Sequence, residues 1–191
     1  MRKIVFDIET RNIFDDVGKA DPALLDISIV GIYDYEYDSY SCFELEELPK
    51  LWPILEKTDM LIGYNSNHFD LPLLNKYYEG DLKKIKSLDL LAEIRIGLGR
   101  RVGLGNVAEA TLGYGKSGHG LQAIQWWKKG DLDSIRKYCL QDVKVTKEIY
   151  EFALKNKKLK YKESDIIKDV IINTDRWEIK EETAINFSLP F

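Results

Sequence analysis

The sequence predicts an α/β protein, and three observations lead there. Short runs rich in Val, Ile, Leu and aromatic residues recur at residues 4–8, 27–35, 59–63 and 85–88, the pattern of buried or half-buried strands. Other stretches carry apolar residues at helical spacing, with Leu48, Leu51, Trp52 and Leu55 in one and Ile135, Cys139, Val143, Ile149 and Ala153 in another. A length of 191 residues, 45% hydrophobic and 31% charged, suits one soluble domain with a core of its own.

Taken in order, residues 2–8 read as the first strand, and the turn-rich residues 11–26 as a loop with one helical turn. Residues 27–35 and 39–45 read as two further strands with a hairpin turn near Asp38. Tyr33, Tyr35, Tyr37 and Tyr40 fall on that hairpin. They are read as half-buried sheet aromatics rather than a base-stacking platform, because aromatics favour pleated surfaces anyway. Residues 46–57 predict a helix and residues 59–63 a short buried strand. A polar turn follows, then a helix to about residue 78, with Asp70 in its first turn. Residues 85–88 predict a strand ending at Asp89, and residues 90–96 a short helix. Residues 97–105 hold Arg100 and Arg101 among glycines, just after Arg95, and read as a flexible basic loop suited to phosphate contacts. Residues 106–112 predict a helix with Asn106 as its N-cap. Residues 118–120 read as a turn, and a short helical piece ends at Trp126 and Trp127. Gly130 breaks it, and the last long helix runs to about residue 154. The lysine-rich residues 155–162 read as a solvated or backbone-contacting basic stretch, and residues 168–177 as a strand. The organisation expected is a domain over residues 1–154 and a C-terminal arm or hairpin over residues 155–191.

Two phosphate-loop patterns fail on context. The Gly-Leu-Gly-Asn-Val-Ala run at residues 103–108 follows a loop, where a dinucleotide fingerprint needs a strand. Gly115, Lys116 and Ser117 follow a helix, and the earlier glycine of a P-loop is replaced by Ala110.

The acids carry more. Asp7 and Glu9 lie two apart in the first strand, so they project from one face. Like charges that close repel, and burial makes it worse. The pair makes sense around a divalent cation; the alternative is an edge strand whose acids face water. For Asp70 the alternative to a site role is helix capping. Tyr138 and Asp142 lie four apart on the last helix, one above the other beside its buried stripe. A carboxylate there needs a partner. In an open α/β sheet, Asp7, Glu9, Asp70 and Asp142 can converge at the carboxyl ends of the strands. Four acids around two cations ~3.5–4 Å apart suit two-metal phosphoryl hydrolysis.

The segments Phe6-Asp7-Ile8-Glu9-Thr10, Gly63-Tyr64-Asn65 with Phe69-Asp70-Leu71-Pro72, and Tyr138-Cys139-Leu140-Gln141-Asp142 resemble the three motifs of the DEDD 3′–5′ exonuclease superfamily. The resemblance is nearest to the proofreading domain of family B DNA polymerases and its stand-alone relatives. Tyr four before Asp is the tyrosine subclass; the other would need His at position 137, which is Lys. The resemblance implies a ribonuclease H-like fold: a mixed central sheet, mostly parallel after an N-terminal meander, with helices on both sides. It implies catalytic Asp7, Glu9, Asp70, Tyr138 and Asp142, with the four acids holding two Mg²⁺ or Mn²⁺ ions and Tyr138 positioning the attacking water. Thr10, Asn65 and Phe69 would meet the terminal nucleotides, with Arg100 and Arg101 as further nucleic-acid contacts. The expected activity is release of nucleoside 5′-monophosphates from the 3′ end of single-stranded nucleic acid, DNA favoured over RNA. The alternatives are a non-catalytic nucleic-acid or partner-binding module on the same fold, and an RNA-processing nuclease.

The net charge of −4 argues against a basic nucleic-acid coat without excluding a nuclease. A polymerase or helicase acting in trans would supply substrate affinity. Cys42 and Cys139 show no metal or disulfide spacing, which fits a reducing compartment. No apolar run has membrane-spanning length. Met-Arg-Lys, then an apolar run broken at Asp7, reads as a strand rather than a signal peptide. A cytoplasmic location away from membranes is expected.

Overall fold

The computed structural model describes residues 1–115 and 121–179. The turn expected at residues 118–120 lies outside them, as do Lys116, Ser117 and the end of the C-terminal arm. The strands of the main sheet are β1 (Lys3–Thr10), β2 (Ile27–Asp34), β3 (Ser39–Glu44), β4 (Met60–Gly63) and β5 (Lys86–Asp89). They lie in the order β3-β2-β1-β4-β5. β1, β2 and β3 form an antiparallel meander, and β4 and β5 continue it in parallel from β1. This is the mixed, helix-flanked α/β sheet of ribonuclease H-like proteins.

β1 is the centre because both of its faces are apolar. Ile4, Phe6 and Ile8 pack on one side with α2 (Leu48–Leu55) and α3 (Asp70–Asn75). Val5 packs on the other with α4 (Leu90–Leu98), α5 (Leu104–Leu112) and α7 (Leu132–Asn156). A near-continuous hydrophobic run is what a strand covered on both faces requires. The short α1 (Phe14–Val17) follows β1, and α6 (Leu121–Lys129) precedes α7.

Four expectations need correction. Asn106 does not cap a helix: α5 begins at Leu104 with Gly103 at the cap, and the Asn106 amide instead bridges both backbone groups of Lys162. The basic loop is not loose. α4 runs on through Gly97 to Leu98, and Val102 is buried, with its carbonyl accepting from the Tyr64 hydroxyl at 2.6 Å. The lysine-rich run is a strand, β6 (Lys158–Glu163), paired antiparallel with β7 (Ile166–Ile171), which sits earlier than the expected residues 168–177. The reason is a period of two hidden by charge: Leu159 and Tyr161 point inward while Lys158, Lys160 and Lys162 alternate with them. Ser164 and Asp165 both take positive φ, as a tight two-residue hairpin turn demands. Finally, α3 stops at Asn75 rather than near residue 78.

Beyond β7 the chain turns back onto the core. The Trp177 ring stacks on Tyr150 at 5.6 Å and its Nε1 donates to Glu93. Lys3 pairs with Glu178 at 2.6 Å, so this turn closes on the first strand. On the β2–β3 hairpin Tyr33 packs edge-on against Tyr35 and at a tilt against Tyr40, under the Lys147 ammonium. Among the described residues, no helix is long and apolar enough to cross a membrane.

Candidate active site

Asp7 and Glu9 extend from the same face of β1 as Val5, the face that α7 covers. How close α7 comes is set by Gly31, which lies opposite Asp7 in β2. A Cβ at Gly31 would stand 2.7 Å from Cys139 Sγ and 3.2 Å from Val143 Cγ2. The missing side chain lets α7 settle onto the sheet, and Cys139 Sγ reaches the Asp7 carbonyl at 3.4 Å. Tyr138 and Asp142 flank Cys139 and are carried to the end of β1, both buried. Asp7, Glu9 and Asp142 each offer a carboxylate oxygen there, all within 4.8 Å of one another. That negative charge is felt nearby: burial first, and then Asp7 and Glu9, push the Cys139 thiol well above its usual range.

Asp70 enters from the other layer. It opens α3, and its carboxylate also reaches beyond that helix. Oδ1 accepts from the backbone N–H of Ile8, between Asp7 and Glu9, at 3.1 Å. Burial pushes its pKa up to about 7, against the backbone N–H groups it accepts from and aided by the charge of Asp89. Asp70 lines the same cleft as the three clustered acids without belonging to their tight group.

The turn before Asp70 is held in place by its neighbours. A Cβ at Gly63 would meet Ser66 Oγ at 2.5 Å, so the chain can fold back there only on glycine. Asn65 takes a left-handed φ of 65°, which asparagine tolerates. Asp89, at the end of β5, accepts from the backbone N–H groups of Asn65, Asn67, Leu91 and Ala92. One carboxylate thus caps α4 and fixes the β4–α3 turn.

The resulting cleft holds about 470 Å³. Asp7, Glu9, Asp70, Tyr138 and Asp142 line it, as do Thr10, Asn65 and Phe69. Thr10 follows an irregularity in the β1–β2 register and donates its hydroxyl to the Asn12 carbonyl. The Phe69 ring packs edge-on against Phe14 at 6.1 Å. Arg101 stands at the rim, donating to Asn65 Oδ1 at 2.6 Å. Arg100 is not brought to the cleft: it pairs with Glu163 and lies over the Tyr161 ring in the hairpin. The sequence reading missed the wall built by Leu121 and Ile124 of α6, and by Asn12, Ile13 and Phe14. Trp126 of α6 meets the Tyr138 ring edge-on at 5.8 Å. The apolar spacing of Ile124 within a short helix was the available signal; nothing in it said which site the helix would cover.

Residues 4–154 match the family model described as the RNase_H superfamily, and the chain belongs to that superfamily. No curated protein matches the chain. Among solved structures, it is similar to the family B DNA polymerase of the hyperthermophilic archaeon Pyrobaculum calidifontis, with a TM-score of 0.62 and 19% identity, over 81% of this chain and 24% of that one. It is also similar to the RNase D of Trypanosoma brucei, with a TM-score of 0.58 and 16% identity, over 81% of this chain and 58% of that one. The chain therefore spans about a quarter of the first and under two thirds of the second. At these identities the likeness is one of fold.

Proposed function

We propose that the chain is a metal-dependent 3′–5′ exonuclease acting on single-stranded nucleic acid, DNA before RNA, and releasing nucleoside 5′-monophosphates. The observation that carries this is the convergence of three carboxylates within 4.8 Å, in a cleft that also holds Asp70 and Tyr138. The similarity of fold to a DNA polymerase and to an RNase D supports it.

The donor set fits a pair of hard divalent cations. All its ligand atoms are carboxylate oxygens, with no imidazole or thiolate in the cluster, which suits Mg²⁺ or Mn²⁺. Three carboxylates this close repel one another unless cations lie among them. Asp7, Glu9 and Asp142, with Asp70 beside them, would hold the ions. Bound there, two such ions stabilise charge on the attacking and leaving oxygens of a phosphodiester. The chain's own residues do the rest. The Tyr138 hydroxyl orients the attacking water, Phe69 offers its ring to a terminal base, and Asn65 hydrogen-bonds the terminal nucleotides. Leu121 and Ile124 wall one side of the cleft with apolar surface and thin the water around the reacting phosphate.

The test uses matched 5′-labelled DNA and RNA oligonucleotides with Mg²⁺ or Mn²⁺, a chelator control and the Asp7→Ala variant. A metal-dependent ladder shortening from the 3′ end is expected, stronger on DNA and absent in the variant. Cleavage by Asp7→Ala at the parental rate would refute the assignment. A ladder on RNA alone would turn the reading towards RNA processing.

A further inference from the structure

We propose that the upstream part of the strand leaves the acidic cleft along a basic groove past Arg101 and Arg95 to Lys83 and Lys84. This rests on the exonuclease reading and adds to it the path taken by nucleotides that are not being cut. The path is drawn by shared walls. A hollow of about 650 Å³ adjoins the acidic cleft, with Asn65 lining both. Arg95, Arg101 and His68 line it. A third hollow, of about 530 Å³, shares Asn67 with the second and is lined by Lys83, Lys84 and Lys86.

Among the described residues, some surface cations are paired with carboxylates and others, such as Lys57 and Lys155, are not; what sets this path apart is that its unpaired cations line connected hollows. Arg100, Arg136, Lys76 and Lys158 are all paired with carboxylates. Among the described residues, no carboxylate lies within ion-pair distance of Lys83, Lys84, Arg95 or Arg101. The acid in the middle hollow, Asp89, has its carboxylate occupied by four backbone N–H groups. In a chain of net charge −4, a line of uncompensated cations leading from the acidic cleft is complementary to a polyanion laid lengthwise. Ile96, 80% exposed beside Arg95, offers apolar surface to unstacked bases.

The experiment is equilibrium binding of 5′-fluorescein oligothymidylates of three and twelve nucleotides, by anisotropy, with Ca²⁺ in place of Mg²⁺ to limit turnover. Three proteins are compared: the parent, Lys83→Gln/Lys84→Gln and the charge-matched Lys57→Gln/Lys155→Gln. All substituted lysines are exposed, and a thermal melt checks each fold. The parent should hold the 12-mer more tightly than the trinucleotide. Lys83→Gln/Lys84→Gln should weaken the 12-mer about ten-fold, leave the trinucleotide unchanged, and reduce the salt dependence of 12-mer affinity by roughly 0.7 for each lysine removed. Lys57→Gln/Lys155→Gln should match the parent. If Lys83→Gln/Lys84→Gln binds the 12-mer as the parent does, or both double variants weaken it equally, the groove is overturned and the cleft assignment stands. If the parent holds neither oligonucleotide, the exonuclease reading falls and the groove with it.

Discussion

Asp70 sits where a carboxylate is costly. Its pKa is raised from 3.8 to about 7, chiefly by burial. Between those values the folded protein keeps a proton that the unfolded chain has released, so this group makes stability fall as pH rises across the window. Below about pH 4 both states are protonated, and the full stabilisation relative to the ionised form is present. Asn cannot titrate. In chelator, thermal melts of Asp70→Asn should therefore gain on the parent steadily from about pH 4 to about pH 7, and the difference should level off above that. Added Mg²⁺ should raise the parent's melting temperature at pH 8 more than the variant's. A parent-minus-variant difference independent of pH would show that Asp70 does not titrate in this way. The position of this residue was only half legible in sequence. Asp at the first turn of a helix reads as a cap, and nothing local shows that its oxygen bonds to Ile8 in another layer. Asp7 and Glu9 were easier, because a period of two fixes their common face without tertiary information.

The long helix α7 decides the site's geometry through one contact. With Gly31 beneath it, α7 lies against β1 and β2; a methyl group there would overlap Cys139 Sγ. Gly31→Ala should cost about 1–3 kcal/mol of stability through overpacking, measured by urea denaturation. It should also lower the cleavage rate on the order of 10²-fold, because Tyr138 and Asp142 move with the helix. An unchanged rate in a folded Gly31→Ala protein would show that the helix absorbs the methyl without shifting the acids. Elements like α7 and β1 were readable because their periodicity is strong. β6 was not: its lysines announce solvent, while Leu159 and Tyr161, the residues that dock it, are outnumbered. Asn106 failed as a cap for a related reason. Its preference for capping is local, and the backbone of Lys162, far along the chain, offered two hydrogen bonds instead. The inner face of α7 was under-read as well, since Val145, Thr146 and Tyr150 extend the buried stripe well beyond its predicted members.

At the scale of the molecule, the hairpin and the turn after it share the core that carries the site. Val170, Ile172 and Trp177 are buried among residues of β4, α4, α5 and α7. Trp177→Ala should remove about 3–5 kcal/mol of stability, with a matching drop in denaturation midpoint and little change in the rate per folded molecule at low temperature. A loss of rate without loss of stability would place Trp177 in the chemistry instead. The meeting of β1 and α7 has one more consequence, in time rather than space. Translation makes Asp7 and Glu9 before Asp70, and Asp142 last of the four. A nascent chain lacks the third carboxylate of the tight cluster until α7 emerges and docks. The acidic cluster is thus completed only once α7 is made, and under the proposed function a chain stopped before α7 would leave nucleic acid uncut.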